Sequence, residues 1–282
     1  MTDRDPTRPE AMTPTVVQRL LAEHGLAPRK SAGQNFVVDP NTVDRIVDDS
    51  GVGAEDDVLE IGPGLCSLTL PLAARARAVT AIEIDAGLAR VARSLTATAG
   101  NVEVLHADAM QVDLDATMPA GTRLVANLPY NVATPLLMHA LASDHVHDAY
   151  VMVQREVGER WAAVPGDSSY GAVSVKVALA GVATLERTIA RAVFLPVPNV
   201  DSVMVRVVRH PDAPSADERA RIAAVVDAAF AQRRKTLRNN LRRAFGDDGE
   251  AALAAAGIDP GARAETLDVA AFVQLAEALD RA

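Results

Sequence analysis

The sequence predicts an α/β fold in which a parallel sheet, wound with crossover helices, precedes a smaller all-helical C-terminal domain. Between Asp57 and Gln154, short β-rich runs alternate with longer helical stretches. Gly, Asp, Asn or Pro follows each β-rich run, and ligands of such sheets lie just beyond the carboxyl ends of the strands. After the linker 210–215 the chain becomes Ala-rich and helical. We therefore predict an N-terminal leader and helix (1–30), a sheet domain (31–209) and a helical domain (210–282).

The individual elements follow from local patterns. The first twelve residues mix charge with Thr and Pro and contain no apolar stretch, so we expect a disordered leader. An amphipathic helix is predicted over 13–24, and Asp39-Pro40 is a typical cap and first turn of a second helix. Strands are predicted at 57–61, 78–84, 101–105, 123–127, 149–154, 181–192 and 202–208. The Pro-rich segment 194–199 is predicted to be a stiff loop and not a strand.

Composition excludes several classes of protein. One cysteine among 282 residues excludes a disulfide framework and a Cys-based zinc site, and fits a reducing compartment. No uninterrupted apolar run reaches the roughly 18 residues of a membrane span. The net charge of -9 argues against a polyanionic partner. The distribution of charge weakens that argument, because the segment from Arg233 to Arg243 contains six basic residues and no acid.

Three predicted strands end in residues suited to an adenosine-containing ligand. Leu-Glu-Ile-Gly62-Pro-Gly64 ends the first strand, where glycines let the backbone approach a ligand. The last glycine of a G-x-G-x-x-G dinucleotide fingerprint is missing, so a tight turn without a ligand is the alternative. Glu83 ends the next strand, where a carboxylate accepts from ribose hydroxyls, while Asp85 is alternatively a helix cap. Asp108 follows the third strand, and its alternative is an ordinary exposed loop residue.

The fourth predicted strand ends in Asn127-Leu-Pro129-Tyr130. The amino nitrogen of adenine is a poor nucleophile because its lone pair is delocalised into the ring. The Asn127 side-chain carbonyl and the Pro129 backbone carbonyl can accept both N–H groups and favour a pyramidal, nucleophilic nitrogen. Tyr130 can stack on the purine face. The motif therefore predicts methylation of an adenine amino group from a sulfonium donor, with an ordinary Asn-Pro turn as the alternative.

With these residues in view, the chain resembles the ribosomal RNA adenine N6-dimethyltransferases, in particular the branch that modifies small-subunit (16S) rRNA. The resemblance runs from about Lys30 to the C-terminus. It rests on the glycine turn, the Asn127–Tyr130 motif and three further segments in family order, 30–37 (KSAGQNFV), 194–202 (FLPVPNVDS) and 230–241 (FAQRRKTLRNNL). It implies a Rossmann-like class I methyltransferase sheet in 31–209 and an RNA- or ribosome-binding function for 210–282.

The resemblance also implies the site residues. S-adenosylmethionine, without a metal, would be held by Asn35, Val37, Gly62, Glu83, Asp108 and Asn127. Phe194 is similar to the family aromatic that faces Tyr130 across a flipped base, and its alternative is a hydrophobic plug. Cys66 stands where the family usually has a third small glycine; it is small enough to fit, and crowding of the cofactor or an exposed oxidisable thiol near it are the alternatives.

The basic segment predicts where RNA binds. On one continuous helix, Arg234, Lys235, Arg238 and Arg242 would share a face, beside an apolar stripe of Phe230, Leu237 and Leu241. Arg233 and Arg243 extend the charge, and a merely solvated basic face is the alternative.

The implied enzyme dimethylates two adjacent adenosines near the 3′ end of 16S rRNA within the immature small subunit, as a cytoplasmic monomer with no membrane partner and a role in subunit biogenesis. Alternatives are a 23S rRNA adenine methyltransferase of the macrolide-resistance type, a ribosome-assembly checkpoint factor, and a DNA adenine methyltransferase. The acidic net charge predicts weak binding of naked RNA with a steep salt dependence.

Overall fold

A computed structural model of the chain describes residues 11–28 and 33–281. The predicted α/β class is confirmed, because seven strands form one sheet in the order β4-β3-β2-β5-β6-β9-β7. The strands are β1 Phe36–Val37, β2 Asp57–Ile61, β3 Ala78–Glu83, β4 Val102–His106, β5 Thr122–Asn127, β6 Val146–Gln154, β7 Gly181–Ile189, β8 Phe194–Leu195 and β9 Ser202–Arg209. The helices are α1 Pro14–Glu23, α2 Pro40–Ser50, α3 Thr69–Ala73, α4 Ala86–Thr96, α5 Leu114–Thr117, α6 Ala133–Ala142, α7 Arg155–Trp161, α8 Ala172–Ala180, α9 Ala216–Phe230, α10 Leu237–Phe245, α11 Asp247–Ala255 and α12 Val269–Asp280.

The strand order creates a switch point between β2 and β5. Strand β3 pairs in parallel with one side of β2, and β4 pairs in parallel with β3. The chain then returns, and β5 pairs in parallel with the other side of β2. Strand β6 continues outward from β5, also in parallel. Crossover helices on either side of such a point diverge and leave a crevice beyond the carboxyl ends of the two central strands. Gly62, just after β2, and Asn127, at the end of β5, flank this crevice.

Local sequence explains where these elements begin. Asp39 caps α2 by accepting from the Thr42 amide at 3.0 Å, with Pro40 in the first turn, as predicted. The central strands are buried along almost their whole length, with Leu59 and Leu124 fully enclosed. That burial matches their near-continuous apolar sequence, which is typical of parallel sheets covered on both faces.

The chain divides into two compact units. One contains the chain up to Arg155 together with Glu186–Arg206, and the other contains Glu156–Leu185 together with Val207–Ala282. The second unit is larger than the predicted helical domain 210–282, because Val175 and Leu179 of α8 share a buried cluster with Val226 and Phe272. The assignment of functions to the predicted domains stays a prediction.

Two predicted features differ in the structure. Phe194 and Leu195, predicted as loop, form strand β8 and pair antiparallel with Val37 and Phe36 of β1. This long-range pairing has no local sequence signal. Met12, predicted to lie in the leader, is buried in a cluster with Val17 of α1, while residues 1–10 lie outside the described ranges.

The described part of the chain contains neither a membrane-spanning helix nor a metal-binding group of side chains. No helix within residues 11–28 and 33–281 is long and apolar enough to cross a membrane. The same residues contain no group of three His, Cys, Asp or Glu side chains arranged to hold a metal ion.

Candidate functional site

A cleft lies at the switch point of the sheet, within the first unit. It brings together six of the predicted site residues, Asn35, Val37, Gly62, Glu83, Asn127 and Pro129. Strand β1 contributes the N-terminal segment, and its pairing with β8 brings the segment around Asn35 and the Pro-rich segment to the same place. Of the predicted segment 30–37, Lys30, Ser31 and Ala32 lie outside the described residues.

The turn after β2 requires glycine at two positions, Gly62 and Gly64. Gly62 and Gly64 have φ of 77° and 55°, in the left-handed region that favours glycine. A Cβ on Gly64 would lie 2.9 Å from the Phe36 ring, too close for van der Waals contact. The Gly64 amide donates to Glu83 Oε2 at 3.1 Å. The turn therefore lines a cleft, and its backbone is held by the strand beside it.

Glu83 and Asp85 have distinct structural functions. Glu83 is 4% exposed, lines the cleft and also accepts from the Asp85 amide through Oε1 at 2.9 Å. Burial raises the pKa of Glu83, and the two amide donors oppose that rise. Asp85 accepts from the Gly87 and Leu88 amides at 2.8 and 3.0 Å, so the expected helix cap is confirmed. Ribose binding by Glu83 stays a prediction.

Asp108 and Ile84 are placed differently from what the sequence suggested. Asp108 is exposed, is not among the residues that line the cleft, and accepts from the Met110 amide at 3.0 Å to cap a short 3-10 turn. Its proposed contact with adenine stays a prediction. Ile84 was not predicted as a site residue, yet it lines the cleft and is 65% exposed. An exposed isoleucine beside Glu83 offers an apolar surface for a flat ring, and its signal was an apolar residue between two acids at a strand end.

Asn127 lines the cleft and has one buried acceptor without a hydrogen-bond partner among the described residues. Its Nδ2 donates to the Asn35 carbonyl at 2.8 Å. Because only the NH2 group can donate to that carbonyl, the amide orientation is fixed and Oδ1 is on the other side. Oδ1 is buried and has no hydrogen-bond partner among the described residues. Asn35 is itself restrained, since its Nδ2 donates to the Gly33 carbonyl at 3.1 Å.

Of the rest of the Asn127–Tyr130 motif, Pro129 lines the cleft and Tyr130 does not. The Pro129 carbonyl accepts from the Val132 amide at 3.1 Å, which leaves one lone pair for a further donor. The Tyr130 hydroxyl and Ser202 Oγ are 2.5 Å apart, so the Pro-rich motif ending at Ser202 anchors the Tyr130 ring. Burial raises the pKa of Tyr130, which keeps its hydroxyl protonated as a possible donor.

Phe194 is a core residue in this structure. It is 1% exposed and belongs to the buried cluster of the sheet. Its ring meets Tyr130 edge to face, with centroids 6.5 Å apart and planes at 73°. The two rings are therefore not parallel and do not enclose a base between them in this structure. The burial of Phe194 matches the alternative of a hydrophobic plug. Base stacking by Phe194 stays a prediction.

Cys66 fits its position in the turn, since it neither lines the cleft nor exposes its thiol, which is the first of the three possibilities that the sequence offers. The side chain is fully buried among Ala81, Ala92 and Val104, and Sγ lies 3.9 Å from the Ala92 carbonyl. Burial raises the pKa of the thiol to about 12. Its φ of 63° explains why glycine suits this position.

Sequence reasoning also missed Glu60. This carboxylate lines the cleft, is 2% exposed, and has no hydrogen-bond partner for Oε2 among the described residues. Burial raises the pKa of Glu60 to about 8; the neighbouring Thr69 hydroxyl opposes that rise, and the Glu83 charge adds to it. The available signal was an acid inside the otherwise apolar strand Val-Leu-Glu-Ile.

The two buried acceptors provide a test of the predicted cofactor. Asn127 and Glu60 both line the cleft, and the buried atoms Asn127 Oδ1 and Glu60 Oε2 both lack hydrogen-bond partners among the described residues. Buried polar atoms are costly unless a donor reaches them. S-adenosylmethionine carries an ammonium, a sulfonium and ribose hydroxyls, and a target adenine carries an amino group. The residues present therefore fit this cofactor and substrate.

The basic segment is not one helix, so that prediction is wrong. Helix α9 ends at Phe230 and α10 begins at Leu237, with the intervening turn held by Asn240, whose Nδ2 donates to the Ala229 and Gln232 carbonyls at 2.6 and 3.2 Å. Leu237 and Leu241 are buried as predicted. The basic side chains are exposed, three in the turn and three on α10: Arg233, Arg234, Lys235, Arg238, Arg242 and Arg243. Arg238 pairs with Glu250 at 3.1 Å.

Comparison with known proteins decides the family. The model of the family described as ribosomal RNA adenine dimethylase matches residues 25–281. The chain belongs to the ribosomal RNA adenine dimethylase family. This confirms the resemblance predicted from the motifs, and membership covers both units of the chain.

Two relatives of this dimethylase have full-length similarity. A protein named ribosomal RNA small subunit methyltransferase A from Thermobifida fusca is 48% identical over 98% of this chain and 99% of its own length. A protein of the same name from Streptomyces coelicolor is 47% identical over 96% of this chain and 98% of its own length.

Solved structures support the same fold for the dimethylase. A dimethyladenosine transferase from Plasmodium falciparum has a TM-score of 0.69 and 26% identity, covering 85% of this chain and 95% of the other. The 23S rRNA methyltransferase ErmE has a TM-score of 0.64 and 28% identity, covering 87% and 99%. The class I methyltransferase sheet with a helical C-terminal region is therefore confirmed.

Proposed function

We propose that this chain transfers methyl groups from S-adenosylmethionine to N6 of two adjacent adenosines near the 3′ end of 16S rRNA. The observation that carries the chemistry is Asn127 Oδ1, a buried and oriented acceptor without a donor among the described residues. Relatives named as small-subunit methyltransferases, at 47 and 48% identity, favour this substrate over 23S rRNA. ErmE, with 28% identity, keeps the 23S reading as the nearest alternative.

The motif residues make the amine nucleophilic without a strong base. Asn127 Oδ1 and the remaining lone pair of the Pro129 carbonyl accept the two N–H groups of the target amine, which draws its nitrogen toward a pyramidal geometry. The Tyr130 ring, anchored through Ser202, offers a face for the purine. S-adenosylmethionine would supply the methyl group from its sulfonium and leave as the neutral thioether S-adenosylhomocysteine. The alkylated amine is then cationic and acidic, and it loses a proton to solvent.

The cleft residues hold the cofactor under this proposal. Asn35 and Val37 approach it from β1, Gly62 through the glycine turn, and Glu83 through the ribose hydroxyls. Asp108 accepts from the Met110 amide through Oδ1, and Oδ2 accepts from the adenine amino group of the cofactor under this proposal. No metal takes part in this scheme.

The basic residues meet the RNA backbone under the same proposal. Arg233, Arg234 and Lys235 present charge from the turn, while Arg238 and Arg242 present it from α10. Because the whole chain has a net charge of -9, naked RNA binds weakly and with a steep salt dependence. The substrate is then the immature small subunit, whose protein and folded RNA add contacts, and the enzyme acts as a monomer in the cytoplasm.

A competition assay tests the substrate. Methyl transfer from labelled S-adenosylmethionine is measured with immature small subunits, naked 23S rRNA and duplex DNA at equal concentrations. The proposal predicts label in dimethyladenosine of the small subunit only. Preferential labelling of 23S rRNA or DNA contradicts it and favours the corresponding alternative.

The checkpoint alternative needs a separate readout. A variant that no longer transfers methyl groups, yet still sediments with immature subunits and delays their maturation, indicates an assembly function in addition to catalysis. No transfer by the wild-type protein, with binding retained, contradicts the enzymatic proposal.

A further inference from the structure

The side-chain amide of Asn127 is oriented by a segment that lies far from it in sequence. Its Nδ2 donates to the Asn35 carbonyl at 2.8 Å, across 92 residues of chain. This contact distinguishes the NH2 end of the amide from the Oδ1 end, because Oδ1 has no hydrogen-bond partner among the described residues. The position of the Asn35 carbonyl therefore decides which atom of Asn127 is available as the acceptor.

A rotation of the Asn127 amide by 180° would exchange its two ends. Oδ1 would then face the Asn35 carbonyl, which is also an acceptor, and the NH2 group would face the target amine, which is also a donor. The rotated amide loses one hydrogen bond and cannot accept from the substrate. One hydrogen bond favours a single orientation by about tenfold. The rate of methyl transfer therefore depends on how firmly the Asn35 carbonyl is held.

The chain that follows Asn35 is held by backbone pairing. Phe36 and Val37 pair antiparallel with strand β8. Ser67 Oγ also donates to the Val37 carbonyl at 3.0 Å. The Asn35 carbonyl is thus fixed from the C-terminal side by contacts that do not involve Asn127.

Gly33 holds the same segment from the N-terminal side. Its carbonyl accepts from Asn35 Nδ2 at 3.1 Å, and its φ of 67° lies in the left-handed region that favours glycine. A Cβ at this position would lie 3.0 Å from the Tyr130 backbone nitrogen and 2.9 Å from Asn131 Oδ1. Because the Tyr130 nitrogen belongs to the same motif as Asn127, a side chain on residue 33 would push the segment and the motif apart.

We propose that Gly33 is a positioning residue for methyl transfer. Its close approach to the Tyr130 backbone holds the Asn35 carbonyl against Asn127 Nδ2, and this keeps Oδ1 as the acceptor. The inference rests on the proposed function, because it takes Asn127 as the group that accepts from the target amine. Gly33 has no side chain to contribute to the chemistry and acts through Asn35.

The test is a double-mutant cycle in single-turnover methyl transfer. S-adenosylmethionine and immature small subunits are both saturating, so that weaker binding does not enter the rate. We expect Gly33→Ala to slow transfer about tenfold in the wild-type background. In the Asn127→Ala background it should slow transfer by less than about twofold, since the amide that it positions is already absent. A glycine needed only for the shape of the cleft would slow transfer by the same factor in both backgrounds.

Gly25→Ala is the matched control. Gly25 has a φ of 62°, so alanine meets the same backbone strain there as at Gly33. Apart from its chain neighbours, the described part of the chain has no heavy atom within 4 Å of an added Cβ on Gly25. We expect the transfer rate of this variant to stay within about twofold of the wild-type rate. The comparison separates backbone strain from the close contact with Tyr130.

Nitrogen-15 NMR of the Asn127 side chain measures the orientation without catalysis. Its NH2 resonances are assigned by their loss in Asn127→Ala. In the wild-type protein we expect slow solvent exchange for the hydrogen that the Asn35 carbonyl accepts. In Gly33→Ala we expect that exchange to be about tenfold faster, because the hydrogen bond is weakened.

Four results would overturn the inference. They are transfer by Gly33→Ala at the wild-type rate, equal slowing in both backgrounds of the cycle, equal slowing by Gly25→Ala and Gly33→Ala, and solvent-like exchange of both Asn127 amide hydrogens in the wild-type protein. The last measurement stands even if Gly33→Ala fails to fold. Absence of methyl transfer by the wild-type protein would instead contradict the proposed function.

Discussion

The central sheet has an amino-terminal edge, where its parallel strands begin, and a carboxyl edge, where they end. Arg123 and Asn127 of β5 show that the two edges differ in whether a buried polar group has a hydrogen-bond partner. At the amino-terminal edge, Arg123 of β5 donates to both carboxylate oxygens of Asp148 at 2.9 and 2.8 Å and to the Ser50 and Gly51 carbonyls at 2.9 Å each. At the carboxyl edge, Asn127, on the same strand β5, keeps a buried oxygen without a donor among the described residues. One strand thus ends in a satisfied network at one edge and in an open acceptor at the other. The first arrangement stabilises the fold, and the second is suited to a ligand.

The largest effect of a substitution is expected at the carboxyl edge, on the rate of methyl transfer. Asn127→Ala removes the acceptor for the target amine, and the loss of one such oriented group costs about 10²–10³-fold in kcat. Stability should fall by only about 1 kcal/mol, for the lost hydrogen bond to Asn35. Single-turnover methyl transfer and thermal unfolding check the two parts. Asn41→Ala, an exposed asparagine in α2, is the control, and equal transfer rates for the two variants would sink the assignment.

At the amino-terminal edge we expect a substitution to lower stability and to leave the site unchanged. Asp148→Ala leaves the Arg123 guanidinium without its bidentate partner in a largely enclosed site, since the two side chains are 8% and 17% exposed. We expect a loss of about 3 kcal/mol in unfolding free energy, with cofactor affinity unchanged below the unfolding temperature. Chemical denaturation measures the loss. Glu23→Ala breaks the exposed Arg19–Glu23 pair and should cost less than about 0.5 kcal/mol, so similar losses for both variants would refute the contrast.

A change of pH sharpens the comparison at Glu60. Its pKa in the folded chain is about 8, above its ordinary value of 4.5, so the folded state holds a proton that the unfolded state has lost. That contribution to stability is complete below about pH 4.5 and declines as pH rises toward 8. Relative to Glu60→Gln, the wild-type protein should lose about 1 kcal/mol per pH unit between about pH 6 and 7.5. Parallel stability profiles for the two proteins would contradict a buried, unpaired Glu60.

The smallest effect is expected for a polar group of the carboxyl edge that the protein does satisfy. Asp85→Ala removes the cap of α4 and should cost about 1 kcal/mol in unfolding free energy. Asp85→Asn keeps an acceptor and should recover most of that loss. If the two substitutions destabilise equally, Asp85 does not act as a cap.

The sequence predicted most of the fold because its strongest signals are local. Strand β2 has the predicted bounds, and Asp39 and Asp85 cap helices as their positions suggested. The errors arise where distant contacts override local pattern. Phe194 joins a strand because Phe36 and Val37 lie beside it, and the basic segment breaks because buried Asn240 holds the turn before α10.

The candidate site was predictable in its residue types but not in its electrostatics. The motif identified Asn127, but the hydrogen bond from its amide to the Asn35 carbonyl, which fixes the free oxygen, joins segments 92 residues apart. The burial of Glu60 is not predictable from the motif alone, because it depends on the elements that pack around strand β2. The burial of Cys66 is not predictable from its position in the turn, because the residues that enclose it, Ala81, Ala92 and Val104, come from β3, α4 and β4.

The most direct measurement of the central claim is mass mapping of rRNA from cells that contain the wild-type protein, lack it, or carry Asn127→Ala. We expect two adjacent adenosines near the 3′ end of 16S rRNA to carry two methyl groups each with the wild-type protein and none in the other two strains, while 23S rRNA is unchanged. Retention of both dimethyladenosines in the strain without the protein, or a loss confined to 23S rRNA, would contradict it.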